Sequence, residues 1–284
     1  SHRALSEHKT LSISWSHYRH CEAQYSLGQK YTEDKSRHKD NEQAIFWLKK
    51  AALQGHTFAS NALGWTLDRG EAPNYKEAVV WYQIAAESGM SYAQNNLGWM
   101  YRNGNGVAKD YALAFFWYKQ AALQGHSDAQ NNLADLYEDG KGVAQNKTLA
   151  AFWYLKSAQQ GNRHAQFQIA WDYNAGEGVD QDYKQAMYWY LKAAAQGSVG
   201  AYVNIGYMYK HGQGVEKDYQ AAFEWFTKAA ECNDATAWYN LAIMYHYGEG
   251  RPVDLRQALD LYRKVQSSGT RDVSQEIRET EDLL

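Results

Sequence analysis

Residues 95–125 read NNLGWMYRNGNGVAKDYALAFFWYKQAALQG, and residues 131–161 read NNLADLYEDGKGVAQNKTLAAFWYLKSAQQG. The two stretches share an Asn pair, a Gly-x-Gly-Val loop, a Trp-Tyr pair and a closing Gln-Gly, at an offset of 36 residues. Such a period is typical of repeat proteins, whose stacked units bury one continuous core. The loop valine and the tryptophan recur together, and with the weaker flanking copies they predict seven units, which start near Cys21, Thr57, Ser91, Ser127, Arg163, Val199 and Ala235.

Each unit is predicted to form a pair of helices. In the third unit, Ala93, Leu97 and Tyr101 have the spacing of one face of a 3.6-residue helix. The glycines of the following loop favour the left-handed backbone that ends a helix, and Asp110 is placed to cap the second helix. We therefore expect seven helix pairs, with loops at Asn103–Lys109, Gly140–Gln145, Gly176–Gln181 and Gly212–Lys217.

The second helix alternates small residues with large rings. Ala114 and Ala121 leave holes that aromatic rings can fill. A lone helix pair cannot bury rings of about 150–250 Å² each, whereas stacked pairs can. We therefore expect mostly buried rings for the tryptophans of this helix, Trp117, Trp153, Trp189 and Trp225.

The composition excludes several classes of protein. The 284 residues are 45% hydrophobic and 15% aromatic with only two prolines, which favours packed helices over disorder. The formal net charge of −3 gives no basic excess for nucleic acid or acidic membranes. No stretch approaches the roughly 20 apolar residues of a membrane span. We expect neither a nucleic-acid partner nor membrane insertion.

Motifs of catalysis and of metal binding are missing. The sequence has no Gly-x-Ser-x-Gly, no P-loop, no His-Glu-x-x-His and no Cys-x-x-Cys. His17, His20 and Cys21 lie close together, but no second ligand pair follows, so we interpret them as incidental. We expect no enzymatic activity, no cofactor and no metal.

The repeated residues resemble the Sel1-like repeat family, a relative of the tetratricopeptide repeats. The resemblance rests on the Gly-x-Gly-Val loop with the Asp that follows it, the Ala-x-x-Trp-Tyr of the second helix and the closing Ala-Ala-x-x-Gly. It covers residues 21 to about 270, although Tyr31–Asn41 and Arg69–Pro73 depart from the loop pattern. It implies an all-α fold, a right-handed α/α solenoid or superhelix of about seven helix-pair repeats with capping helices at both ends.

These expectations divide the chain into segments. Residues 1–20 form an N-terminal cap, and residues 271–284 form a C-terminal capping helix with Val273 and Ile277 in the core. Between them lie the repeats at 21–56, 57–90, 91–126, 127–162, 163–198, 199–234 and 235–270. The resemblance favours a periplasmic or secreted location. Cys21 and Cys232 fit either a reducing or an oxidising compartment, so a cytoplasmic location stays open.

The resemblance also implies a concave groove lined by the first helices. We count positions from the anchor alanine of each first helix, for example Ala93, as zero. Positions −1, +2, +6, +9 and +10 are then expected to face the groove, and they vary among the repeats. An aromatic stripe at helical spacing is usually core, but here other residues already supply the core. The predicted groove residues are Trp65, Trp99, Trp171, Tyr207, Tyr239, Asn61, Asn95, Asn131, Asp135, Glu138 and Asp139.

We expect a protein–protein interaction scaffold that binds a partner protein or peptide in this groove, as a monomer. The tryptophans are typical binding anchors, the asparagines can pair with an extended backbone, and the carboxylates form either a solvated face or a contact for a basic partner. One alternative, from the resemblance, is an immunity or inhibitor protein that neutralises a secreted bacterial toxin such as a type VI phospholipase effector. Another is a carbohydrate-binding module that uses Trp65, Trp99 and Trp171 as stacking platforms.

Overall fold

The computed structural model describes residues 20–32, 40–70 and 72–284, and every regular element within them is a helix. Outside them lie the predicted N-terminal cap up to residue 19, which includes His17, most of the loop Tyr31–Asn41, and Glu71. The helices are α1 (20–32), α2 (Asn41–Ala52), α3 (Thr57–Asp68), α4 (Tyr75–Glu87), α5 (Ser91–Asn103), α6 (Tyr111–Leu123), α7 (Ser127–Asp139), α8 (Lys147–Gln159), α9 (Arg163–Ala175), α10 (Tyr183–Ala195), α11 (Val199–His211), α12 (Tyr219–Glu231), α13 (Ala235–Tyr247), α14 (Leu255–Ser268) and α15 (Ser274–Asp282).

The helices belong to two compact units. Unit 1 ends at Gln145 with α7, and unit 2 begins at Asn146 with α8. Within each unit, successive helices pack against each other along the chain. The odd-numbered helices α1 to α13 are the first helices of the repeats, and the even-numbered helices are the second helices. The expected all-α solenoid of helix pairs is confirmed.

The predicted loops are also confirmed, and they show why two glycines recur. Gly104 ends α5 with a left-handed φ of 76°, a conformation that costs glycine little. At Gly106, also left-handed, an added Cβ would overlap the backbone carbonyl of Tyr75 at the start of α4. In unit 2, Gly214 stands in the same relation to Tyr183. The Gly-x-Gly loop therefore ends one helix and lets the chain press against the preceding second helix.

The most deeply buried aromatic ring of the second helices is the residue that follows the tryptophan. Trp189 is buried, but Trp117, Trp153 and Trp225 are only partly buried. The next residue is the one that is fully buried, such as Tyr118 in unit 1 and Phe226 in unit 2. The reason is the small residue that faces it on the first helix: a Cβ on Gly98 would lie 2.7 Å from Cδ1 of Tyr118. The four tryptophans are thus mostly buried, as expected, but the fully buried ring is the next residue.

Buried glutamines join neighbouring repeats. In unit 1, Gln94 Nε2 donates to the carbonyl of Ala86, 3.1 Å away, and Gln124 Nε2 donates to Gln94 Oε1 at 2.8 Å. In unit 2, Gln166 is bonded in the same way to Ala158 and Gln196. Because a buried amide is costly unless it is hydrogen-bonded, these bonds hold each first helix in register with its neighbours.

Unit 2 closes with the predicted extra first helix. Val273 at the start of α15 is fully buried, and Ile277 packs against the same cluster, which includes Tyr262 and Val265. The exposed side of α15 is tied to α14 by Arg263, which donates to Glu281. The two core positions expected for this helix are thus apolar and packed, as the pattern predicts.

Candidate partner-binding site

Four large rings of α3 and α5 are exposed in unit 1. Trp65 and Trp99, both at position +6, are each 42% exposed. Phe58 and Tyr92, both at position −1, are 58% and 62% exposed. Phe58 and Tyr92 thus occupy a predicted groove position, although only the two tryptophans are among the predicted groove residues. The partial exposure of Trp65 and Trp99 agrees with the expectation that the core does not need them.

Side-chain amides form rungs between the first helices of unit 1. Asn96 Nδ2 donates to Asn61 Oδ1 at 3.2 Å, and Asn132 Nδ2 donates to Asn95 Oδ1 at 3.0 Å. Position +3 of one first helix thus bonds to position +2 of the preceding one. We call these two bonds the amide rungs. They orient Asn61 and Asn95, and Asn131 lies half-buried at the equivalent place on α7.

The predicted acidic face contains cations that the repeat pattern does not reveal. Asp135 forms an ion pair with Arg102 of α5 at 3.0 Å, and its side chain is only 17% exposed. Asp139 forms an exposed ion pair with Lys141 at 2.8 Å. Glu138 is half-buried beside them. Arg102 belongs to the preceding repeat, so the sequence pattern of a single repeat does not show this ion pair. The acidic face of α7 therefore includes carboxylates that are paired with cations.

An open pocket lies between α1 and α3. Its volume is about 300 Å³, and its walls include Tyr25, Phe58, Trp65 and Met90. Gln29 and Asn61 add amides to the lining, and Gln29 Nε2 donates to the Tyr25 hydroxyl at 2.7 Å. No acid, lysine, arginine or histidine is among the described residues that line the pocket. Two of the predicted groove residues, Asn61 and Trp65, therefore share one cavity.

Two histidines cap first helices in unit 1. His56 and His126 accept the backbone N–H of Ala59 and Ala129 through Nδ1, at 3.0 and 3.3 Å. The His126 ring meets Tyr92 edge to face, with centroids 4.6 Å apart. Burial lowers the pKa of His126, against the opposing effect of Asp128. An acceptor nitrogen must be unprotonated, so both caps require a neutral imidazole.

Unit 2 presents a different first-helix surface. Trp171 and Tyr207 are 39% and 46% exposed, and the Tyr207 ring lies 4.1 Å from that of His211. Tyr239 is covered from the C-terminal side, because the Arg271 guanidinium lies 3.8 Å from its ring and its hydroxyl bonds to Glu276. Tyr207 and Tyr239 are therefore both in contact with other side chains of unit 2.

Other candidate chemistry is sparse in the described part of the chain. No group of three or more His, Cys, Asp or Glu side chains could hold a metal there. None of the helices it contains is long and apolar enough to cross a membrane. His20 is within hydrogen-bond distance of Gln24, and Cys21 and Cys232 are free thiols, one buried and one exposed.

Comparison with known proteins finds the same repeats in the sequence. A sequence model of the Sel1 repeat matches seven consecutive segments, residues 21–56, 57–90, 91–126, 127–162, 163–198, 199–234 and 235–264. The chain belongs to the Sel1 repeat family. Sel1 repeat proteins act as protein-interaction scaffolds and are generally of a non-catalytic type.

Two solved structures are similar to this Sel1 repeat protein in both sequence and fold. A protective antigen of uropathogenic Escherichia coli with an SLR fold is 36% identical, with a TM-score of 0.81 over 88% of this chain and 54% of that chain. A Sel1 repeat protein of Oxalobacter formigenes is 33% identical, with a TM-score of 0.69 over 75% of this chain and 86% of that chain. The present chain thus spans about half the length of the E. coli antigen.

An immunity protein of Pseudomonas aeruginosa matches more weakly, at 17% identity and a TM-score of 0.44 over 91% of this chain and 86% of that chain. This likeness carries no argument about function.

Proposed function

We propose that the first helices of unit 1 bind an extended segment of another protein. The observation that carries the proposal is the pair Trp65 and Trp99, equivalent rings on α3 and α5 that are both 42% exposed. A solvent-exposed tryptophan contributes little to the core of its own chain, whereas buried tryptophans are among the strongest contributors to interface energy. The family of interaction scaffolds to which the chain belongs supports the same function.

The amide rungs suit the backbone of such a segment. Asn61 and Asn95 each use one acceptor site for the rung. A side-chain amide has two lone pairs and two N–H groups, so one rung leaves further capacity for hydrogen bonding. Because the rungs restrict the side-chain rotation of these residues, less conformational entropy would be lost when a segment binds. We extend the proposal to Asn131 at the equivalent position of α7.

The charged residues of α7 form the rim of the proposed site. Asp139 and Glu138 would attract a basic group of the partner, chiefly during encounter. Asp135 has a second role, because its ion pair with Arg102 joins α5 to α7. For unit 2, taken by itself, we propose Trp171, Tyr207 and the part of Tyr239 that stays exposed as contacts.

Double truncation tests this function. Trp65→Ala with Trp99→Ala should weaken partner binding by about 2 kcal/mol or more, roughly 30-fold in Kd, with helicity unchanged. The matched control is Phe46→Ala with Phe116→Ala, two rings of second helices that are 48% and 47% exposed in the same unit. Partners would be captured from the native organism with wild-type chain and both variants, then measured by calorimetry.

The outcomes separate the alternatives. A partner that the tryptophan variant loses and the control retains supports the proposal, and a toxin in that role would make the chain an immunity protein. Equal loss in both variants, or no loss in either, contradicts it. Glycan binding that depends on Trp65 and Trp99, without any protein partner, would favour the carbohydrate-binding alternative.

A further inference from the structure

Position +3 of the first helices lacks an amide in α3, and a pocket lies there. It carries an amide in α5 and α7 of unit 1, Asn96 and Asn132, and these are the donors of the amide rungs. In α3 the same position is Ala62, which has no side-chain donor. Ala62 therefore forms no rung toward α1, and it lines the pocket between these two helices.

A second exception converges on the same pocket. The residue before each first helix is a capping residue that accepts a backbone N–H in α3, α7, α9 and α13: His56, His126, Asn162 and Asp234. Ser198 before α11 makes no side-chain cap, and before α5 the residue is Met90, whose side chain cannot provide one. Its side chain lines the pocket instead. Residues that break a local rule are expected at functional sites, because the local loss must have a compensating role.

The lining indicates what the pocket accepts. Its apolar walls, Tyr25, Phe58, Trp65 and Met90, suit a hydrophobic group, and its described lining holds no charged side chain. An ionised side chain placed there would lose water without gaining a partner of opposite charge. The amides of Gln29 and Asn61 at the same pocket can both donate to and accept from a peptide backbone.

We propose that this pocket receives an uncharged apolar side chain, aliphatic or aromatic, of the protein segment that unit 1 binds. The inference rests on the proposed function and adds the chemistry of the anchoring residue. Ala62 and Met90 are its determinants, since one leaves the space and the other lines it. The neighbouring repeat lacks both features, because Asn96 stands in place of Ala62 and the capping residue His126 in place of Met90.

The side chain of Met90 provides a direct reporter. The chain has five methionines, and the other four, Met100, Met187, Met208 and Met244, are buried in the core. With ¹³C-methyl methionine, the full chain would be titrated with N-acetyl-leucinamide and N-acetyl-phenylalaninamide. Ligands of this size are expected to bind in the millimolar range. We expect the Met90 methyl signal to shift and saturate with both amides, while the four core methyl signals stay in place.

Ala62→Asn is the deciding variant. Asparagine is native at this position in α5 and α7, so α3 should tolerate it while its larger side chain narrows the pocket. The apparent Kd of both apolar amides should rise at least tenfold. Ala62→Leu, which fills the space with carbon, should act in the same way, and Phe116→Ala on α6 should leave the titration unchanged.

Four other outcomes would contradict this proposal. The Met90 signal would not shift with either apolar amide, or Ala62→Asn would bind both amides as tightly as the wild type does. Alternatively, N-acetyl-glutamic acid amide would shift the Met90 signal as much as the apolar amides do, or only chitotriose would shift it, which would indicate a sugar site. If partner capture needs Trp65 and Trp99 but is unchanged in Ala62→Asn, the pocket proposal is wrong and the proposed function is still supported. If the amides bind saturably but no partner is captured, the pocket is supported and the proposed function is not.

Discussion

The first helices of the two units carry the same amides and use them differently. In unit 1, Asn132 at position +3 donates across to Asn95 of the preceding first helix. In unit 2, Asn240 at the same position donates to the carbonyl of Thr236 in its own helix. The difference lies in the partner: position +2 of the preceding helix is Asn95 in unit 1 and Val203 in unit 2. A valine offers no acceptor, so the amide turns back to its own backbone.

This contrast separates what the repeat requires from what each unit adds. The buried ring packed against a small residue of the first helix is present in both units, as Tyr118 with Gly98 and as Phe226 with Gly206. The residues at +2 and +6 are not needed for that packing, so they are able to vary. Unit 1 uses them for amide rungs and exposed tryptophans, and unit 2 uses Phe167 and Val203 to extend the packing.

The largest predicted effect tests the shared packing. Tyr118→Ala and Phe226→Ala should each lower the free energy of unfolding by about 3–5 kcal/mol, because each removes a fully buried ring. Trp117→Ala and Trp225→Ala should cost less, since these rings are only partly buried. Denaturant unfolding checks the four values. Tyr118→Phe keeps the ring and serves as control. A larger loss for the tryptophans would restore them as the core aromatics.

The sequence predicts the repeat, but it does not show which of two neighbouring aromatic residues is the more deeply buried. The 36-residue period predicts the helix pairs and the Gly-x-Gly loops. It also makes Trp117 and Tyr118 recur together, so the period alone does not tell which of them faces Gly98. Contacts between repeats are a second limit. Arg102 pairs with Asp135 from a different repeat, and a pattern read within one repeat contains no sign of that pair.

The amide rungs can be exchanged between the units. Asn95→Val should cost about 1 kcal/mol, because the amide of Asn132 loses its acceptor. Val203→Asn should move the amide of Asn240 from Thr236 to the new acceptor. Side-chain amide signals in ¹⁵N spectra report both changes, with Asn95→Asp as a control that keeps an acceptor. If Asn240 stays bonded to Thr236 when position 203 is asparagine, the partner at +2 does not decide the rung.

The helix caps predict that the start of α7 in unit 1 responds to mild acid where the start of α9 in unit 2 does not. The cap of α7 is His126, and that of α9 is Asn162. Burial keeps the pKa of His126 below its ordinary value, so the unfolded chain takes up the proton first as the pH falls. The contribution of this cap is therefore complete above about pH 6.5 and is lost as the pH falls below that value.

The test compares His126 with the cap of unit 2. The loss should not exceed the contribution of one cap, about 1 kcal/mol. Unfolding at pH 7.5 and pH 5.0 would be measured for wild type and for His126→Asn, which copies Asn162 and does not titrate. The variant should show a smaller drop, together with slower hydrogen exchange at the Ala129 amide at pH 5.0. An identical drop would mean that other groups set the acid response.

The smallest effect concerns charge at the rim of the proposed site. Positions +9 and +10 are Glu138 and Asp139 on α7 but Asn174 and Ala175 on α9, so only unit 1 should steer a basic partner. Glu138→Gln with Asp139→Asn should lower the association rate a few-fold at low salt, because exposed charges act mainly on encounter. The loss should shrink toward zero near 0.5 M salt, as screening shortens the range of the field.

Asp135 is left intact, because removing it would also release Arg102 and disturb the α5–α7 contact. Stopped-flow mixing with the captured partner would give the rates. A change confined to the dissociation rate would place these carboxylates in direct contact with the partner, and the steering role would fail.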